Sequence, residues 1–435
     1  MRLLIFIFIL FPFMTYGQTW VPTQMSPMPM STTNNAVCEA KVGGADYVYS
    51  FGGLDSTKIY TGTHQKSFKY DVANDSWVAI PDLPDTLGKI AASASYVNGK
   101  IYIIGGYHVF QNNLEQSSSR VHIYDPQTDQ FLADGTPVPI PIDDQVQCVY
   151  QDSLIYVITG WFNTGNVALV QIYDPANDIW LQGTSVPNTN DYKAFGANGI
   201  IVGNKIYYYG GASTATNFPA QEILRKGNID PNNPTNIDWL PIETYIGYPT
   251  YRMVALGNLD GTISFIGGSN ASYNYNGLSY TNNIGVPPSE NNVIYSPTAQ
   301  NISLKYNVDY PMDLRGYGNV NDSTKFLCGG MIHGQKVSNR CIRLNYMADP
   351  LSQFDYEVPL VQSLSPNPSS SIFILELSSP FYFKQYQVIN RQGATLLAGT
   401  INTTTIKIDL GKYPNGIYFL RLLGEKTIVK DLIKK

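Results

Sequence analysis

Six times along the chain an apolar, strand-like run ends on glycine: DYVYSFGG at Gly53, KIYIIGG at Gly106, LIYVITG at Gly160, KIYYYGG at Gly211, TISFIGG at Gly268 and KFLCGG at Gly330. A single glycine pair closing a strand is ordinary turn chemistry. Six of them at intervals of roughly fifty to sixty residues form a period, and periods of that length build blades, solenoids or arrays. The spacing between copies is filled by short strand patterns and turn residues, with no helical periodicity. The chain is therefore expected to be all-β.

A second signature follows the glycine pair. FKYDVANDSW, VHIYDPQTDQF and VQIYDPANDIW each put Tyr-Asp at the end of a third strand and an aromatic after a tight turn, and a divergent copy ends at Trp239. Asp followed by Pro, Asn or Asp is turn chemistry, so each copy carries a hairpin there. With 32 Tyr and 18 Phe but only 14% charged residues, the composition suits wide packed sheets. The formal charge of −5 leaves no basic face for a phosphate backbone, which argues against a nucleic-acid partner.

Together these copies resemble kelch repeats, a family that builds β-propellers, over about residues 18–347. The first three copies carry the likeness clearly, the last three lose Tyr-Asp, and in copy three Thr159 stands where the first glycine would be. The sixth copy lacks a fourth strand with Trp, whereas TWVPTQMSPMP near the start is an orphan fourth strand. The expectation is six blades with that N-terminal strand outermost in the last, a closure that removes exposed sheet edges. A phosphate cradle at the glycines is rejected because no helix follows to hold an anion.

Both ends of the chain follow other rules. MRLLIFIFILFPFMTYG has one Arg, an apolar run from Leu3 to Met14 and small residues before Gln18, the layout of a signal peptide over residues 1–17. No other stretch approaches transmembrane length. After a linker at 348–362, residues 363–435 read as a small all-β sandwich. Pro366-Asn367-Pro368, the run to Gly416 and Tyr418, and the basic finish at Lys430, Lys434 and Lys435 resemble the type A C-terminal sorting domain of the type IX secretion system in Bacteroidetes. That resemblance implies passage through the periplasm, recognition by the type IX machinery, and release or anchoring at the outer cell surface.

For function, loops from second to third strands and from fourth to first strands share the top face. Near the axis, at the start of the first strands, stand Lys89, Lys193, Arg252 and Arg315, with Asp143 and Asp144 at the corresponding place in copy three. Converging cations there suit an anionic ligand such as an acidic sugar. The bland alternative is that they tie blades together. The longest top loop, residues 269–292, presents Tyr273, Tyr275 and Tyr280 among asparagines, and Trp161 follows the third glycine site. Exposed aromatics with amides suit sugars or protein surfaces.

The expected function is a secreted glycan- or protein-binding module. The alternative is a cofactor-free mutarotase like the six-bladed sialic acid mutarotase, using Glu290 with Arg252 or Arg315. No cofactor or metal is expected: the four His (His64, His108, His122, His333) are scattered, and no G-x-S-x-G or H-E-x-x-H occurs. Copper radical oxidases resembling galactose oxidase need a seven-bladed frame and ligands that cannot be assembled here. Of four cysteines, Cys328 and Cys341 are placed opposite each other by a hairpin, either bridged or as buried thiols.

Overall fold

A computed structural model of the chain describes residues 18–112, 114–242, 247–306, 308–348, 361–377, 383–424 and 427–435. The signal peptide expected at 1–17 and nearly all of the linker expected at 348–362 lie outside them. No α-helix occurs among the described residues, only two short 3-10 turns at Tyr60–Gly62 and His333–Gln335.

The repeat folds as six antiparallel sheets, each in the order first, second, third, fourth strand. Blade one comprises Ala36–Val42, Ala45–Leu54, Thr63–Asp71 and Ser76–Ile80; blade two Ile90–Val97, Lys100–Val109, Val121–Asp125 and Gln130–Phe131, with Glu115–Ser117 added beside its second strand. Blade three comprises Val146–Tyr150, Leu154–Ile158, Val170–Asp174 and Ile179–Gly183, and blade four Phe195–Val202, Lys205–Ala212, Leu224–Asp230 and Asn233–Trp239. Blade five comprises Val254–Gly257, Ile263–Ile266, Asn291–Ser296 and Asn301–Tyr306. Blade six takes Gly318–Asn321, Thr324–Cys328 and Cys341–Ala348 from one end and Gln18–Met25 from the other, with Gln18 opposite Ala348 and Met25 opposite Cys341. Trp20 seals that junction: it is buried, packs tilted against Tyr346 with ring centres 4.9 Å apart and donates from Nε1 to Asn258 Oδ1 at 2.7 Å.

Closure of the ring is visible in the backbone. One residue at the head of each blade takes positive φ: Asn34, Ala91, Asp144, Gly196, Arg252 and Asp313. Each passes a hydrogen bond to the next around the axis. Ala91 N–H donates to Asn34 O, Asp144 to Ala91, Gly196 to Asp144 and Arg252 to Gly196; Leu314 then donates to Arg252 O, and Asn34 N–H closes the circle on Asp313 O at 3.2 Å. Only one of the six is glycine, and a left-handed Ala or Arg persists only where the surroundings over-determine it.

The second strands are mainly apolar because both their faces are covered. In blade two Ile101 and Ile103 enter the core shared with blade one (Cys38, Tyr49, Phe51), while Tyr102 and Ile104 pack with Ile155 and Val157 of blade three. Full burial of each such side chain contributes about 1.5–3 kcal/mol. The glycines that end this strand meet backbone on two sides. A Cβ on Gly105 would lie 2.3 Å from Ile142 O on the way into blade three, and one on Gly106 2.7 Å from Ile90 O of its own first strand. Thr159, the exception, keeps positive φ and turns its hydroxyl to donate to Val167 O at 2.8 Å.

The Tyr-Asp signature is turn chemistry extended between blades. Tyr70, Tyr124 and Tyr173 each donate to the Asp five residues on, at 2.6, 2.9 and 2.5 Å. Trp77, Trp180 and Trp239 donate their indole N–H to Ser26 O, Thr136 O and Thr184 O in the connections beneath.

The C-terminal residues form a three-stranded sheet of Val361–Ser365, Ile372–Leu377 and Thr405–Asp409, and a four-stranded one of Thr395–Thr400, Phe383–Ile389, Gly416–Gly424 and Thr427–Lys434. Phe373, Leu375, Val388, Leu420 and Leu422 from both sheets share one core. Asn367 ties the Pro-Asn-Pro turn to the last strand, donating to Asp431 O at 2.7 Å and accepting from Ile433 N–H at 2.9 Å. Lys434 is buried and donates to Gly411 O and Tyr413 O, whereas Pro366, Pro368, Lys430 and Lys435 are exposed; Tyr418 is buried and donates to Pro414 O.

Candidate functional site

At the top of the axis the first strands bring four charges together. Arg252 enters from blade five at its left-handed head position and crosses to Asp144 of blade three, Nη2 to Oδ2 at 2.6 Å and Nε to Oδ1 at 3.1 Å. Its Nη1 donates to Asp313 Oδ1 of blade six at 2.8 Å, and Asp313 also accepts from Thr33 Oγ1 at 2.7 Å. Arg315 crosses the other way. It lies 3.3 Å from Asp144 and donates to Gln145 O at 2.8 Å and Ser93 Oγ at 3.2 Å, joining blade six to blades two and three. Burial works against the charge on Arg252, but Asp144 and Asp313 more than offset it and hold the guanidinium protonated. Neighbouring Asp143 differs: burial and the adjacent Asp144 push its carboxyl well up, and it accepts from Ser117 Oγ at 2.5 Å.

This corrects the expectation of open cations awaiting an anion. Lys89, Arg252 and Arg315 are no more than 2% exposed, and each faces a carboxylate. The partners of Arg252 and Arg315 come from other blades, where local sequence gives no hint, whereas that of Lys89, Asp85, is only four residues earlier. Lys193 is half-buried at the head of blade four, its carbonyl accepting from Asn166 Nδ2 at 3.3 Å. Glu290 is exposed at the end of the long loop, while the Arg252 guanidinium is occupied by Asp144 and Asp313.

Lys89 belongs to a second cluster, on the flank of blade two. Asp85 is its centre: Lys89 Nζ lies 3.2 Å away, Arg120 Nη1 3.2 Å, His122 Nε2 3.1 Å and His108 Nε2 3.7 Å. His122 also faces Asp134 through Nδ1 at 2.9 Å, and Arg120 reaches Asp134 at 2.7 Å. Against the cost of burial, the His122 hydrogen bond and then the Lys89 and histidine charges keep Asp85 far below the usual carboxylate range. Burial lowers Lys89 to about 8, and although Asp85 is within ion-pair distance the ammonium makes no well-directed hydrogen bond.

Over the axial pair lies an aromatic cover. Tyr273 of the long loop is buried, with Arg252 5.6 Å from its ring centre and Tyr251 edge-on at 5.1 Å; its hydroxyl and that of Tyr251 have no hydrogen-bond partner among the described residues. Tyr275 is buried as well. The expectation of exposed tyrosines is thus corrected for Tyr273 and Tyr275, because the loop folds inward and spends these rings on the mouth of the ring. Half-buried Trp161, Phe218 and Tyr280 form the outer layer, packed edge to face around Phe195 at 5.0–6.5 Å. Exposed Asn163, Asn217, Asn282 and Asn283 stand in the same loops. Sequence reasoning missed Phe218, Phe195, Asp85 and Asp313; of these Asp313, two residues before Arg315 at a blade head, and Asp85, four residues before Lys89, had a positional signal.

Comparison with known proteins accords with this geometry. Residues 91–132, blade two, match the Kelch motif, and residues 363–435 match the Secretion system C-terminal sorting domain. Similar proteins include Kelch-like protein terF of Aspergillus terreus (29% identical over 145 residues, 33% of this chain and 30% of that one). Others are Kelch-like protein 35 of Mus musculus (25% over 141 residues, 32% and 22%) and human Kelch repeat and BTB domain-containing protein 12 (27% over 157 residues, 33% and 24%). The chain spans less than a third of the length of these relatives. The solved structure of YjhT shares the fold at 17% identity and a TM-score of 0.58, covering 74% of this chain and 99% of that one. No helix among the described residues is long and apolar enough to cross a membrane. The chain thus has a β-propeller fold with a Kelch motif at residues 91–132, and the sorting domain matched at residues 363–435 indicates export through the type IX system to the cell surface or the medium.

Proposed function

We propose that the exported propeller, residues 18–347, binds glycan on its top face, with residues 1–17 removed and 348–362 acting as a tether to the sorting domain. The observation that carries this reading is the Trp161, Phe218 and Tyr280 layer: three half-buried rings edged by asparagine amides. Sugar C–H faces stack on such rings and hydroxyls pair with amides. Because both axial arginines are already matched by aspartates, the site favours neutral hydroxyl-rich ligands over acidic ones. The test is a glycan array probed with the secreted chain and its Trp161→Ala and Tyr280→Ala variants. Saturable binding reduced at least tenfold by either change supports the reading; saturable binding indifferent to both refutes this location, and capture of proteins alone makes the ligand a polypeptide.

A second reading, a cofactor-free sugar mutarotase, is favoured by one feature. Beside the Arg252–Asp144 pair, burial and the adjacent Asp144 raise the Asp143 carboxyl, the direction a general acid needs. Anomer exchange followed by NMR distinguishes it: acceleration lost in Asp143→Asn would make the protein an enzyme.

A further inference from the structure

We propose that Cys328 and Cys341 are a disulfide site that locks the blade in which the two ends of the propeller meet. The two residues are directly opposite on neighbouring strands of blade six, with their Sγ atoms 3.9 Å apart. Gly329 N–H donates to Arg340 O at 2.8 Å, so 329 and 340 are the hydrogen-bonded pair and 328 and 341 the closer, non-bonded one. At such sites Cα atoms approach to about 4.5 Å, within the roughly 4.4–6.8 Å that a disulfide spans.

Three further observations separate this pair from the other thiols. Cys38 and Cys148 are buried singly, in the first strands of blades one and three, in the cores shared with their neighbours. Cys328 and Cys341 instead face each other in one apolar cluster with Met28, Phe68, Tyr70 and Phe326, where blade six packs on blade one. The chain is also exported, and exported chains pass through compartments where disulfides persist. Strand Cys341–Ala348 is the one with which Gln18–Met25 pairs, so the bond would join the second and third strands of the blade that the N-terminal strand closes.

The chemistry is thiol–disulfide exchange with a disulfide-donating dithiol oxidoreductase, or with oxidised glutathione in vitro. One cysteine thiolate attacks the donor disulfide, forming a mixed disulfide and releasing one donor sulfur as thiolate. The second cysteine then attacks the protein sulfur of that intermediate; the Cys328–Cys341 bond forms and the other donor sulfur leaves. Two electrons pass to the donor, and the two cysteine protons end on its reduced thiols. Both thiols are buried in the finished blade, so the reaction belongs to the folding chain.

The test uses the full chain collected after export, trapped with an alkylating reagent in denaturant and digested. Cleavage after Lys325, Lys336, Arg340 and Arg343 puts the two cysteines on separate peptides, 326–336 and 341–343. The expected result is two alkylated cysteines, Cys38 and Cys148, with 326–336 linked to 341–343. Cys341→Ala should show three alkylated cysteines, and its unfolding midpoint should be insensitive to reductant where that of the parent falls. Four alkylated cysteines in the exported chain, or a bond between any other pair, would overturn the proposal.

Discussion

The axis and the flank of blade two each bury a cluster of charges, and they do it differently. At the axis two arginines meet two aspartates across the ring, with Arg252 bidentate on Asp144 from 108 residues away. On the flank one carboxylate, Asp85, is surrounded by Lys89, Arg120, His108 and His122, with Asp134 behind. Guanidinium stays charged at any physiological pH, while histidine and a buried lysine do not. The axial cluster is a fixed tie between blades; the flank cluster is one whose strength depends on pH.

The repeat sharpens the contrast. His122 pairs with Ile103, two residues before the glycine site, and the same place is held by Gln171 in blade three and Arg225 in blade four. All three reach the preceding top connection: His122 to Asp85, Gln171 to Ile140 N–H and O, and Arg225 to Asp191 O. One structural task is carried by three side chains, and only blade two uses a titratable one.

Four changes would break or sharpen this comparison, the largest first. Arg252→Ala leaves Asp144 and Asp313 buried without their shared partner and should cost about 3–5 kcal/mol in denaturant unfolding. A loss under 1 kcal/mol would show that the axis is held by backbone alone. Lys89→Met tests the titratable cluster. The folded-state pKa of Lys89, about 8, is below its unfolded value, so between roughly pH 8 and 10.5 the unfolded chain binds the extra proton and this group's contribution to stability rises with pH. The parent should gain about 3 kcal/mol relative to Lys89→Met across that window, and parallel pH curves would refute the assignment.

His122→Gln copies blade three into blade two; the amide can donate from only one atom where imidazole reaches two aspartates, so one carboxylate loses a partner and the change should cost about 1–3 kcal/mol, measured by urea unfolding at neutral pH. A neutral result would mean that amide and imidazole are interchangeable at this position. Trp77→Phe removes only the hydrogen bond to Ser26 O and should cost about 1 kcal/mol, within reach of a thermal midpoint comparison.

Much of the fold was legible because its signals are local. A glycine pair, a Tyr-Asp turn and a following Trp each report on backbone within one blade, and the sorting motif is contiguous from Pro366 to Lys435. The site was legible only in outline. Trp161 and Tyr280 do lie in the top-face cover, but Tyr273 and Tyr275 turned inward, and Lys89, Arg252 and Arg315 turned out to be paired.

By itself the sequence determined the repeat, its strand order and the export route, since periodicity and contiguous motifs survive without knowledge of neighbours. Only the tertiary structure decided which charges are free. The carboxylate that neutralises Arg252 belongs to a different blade, and the loop carrying Tyr273 lies across the ring. Closing the ring brings residues from opposite ends of the chain within hydrogen-bond distance, and burial then sets which of them a ligand can reach.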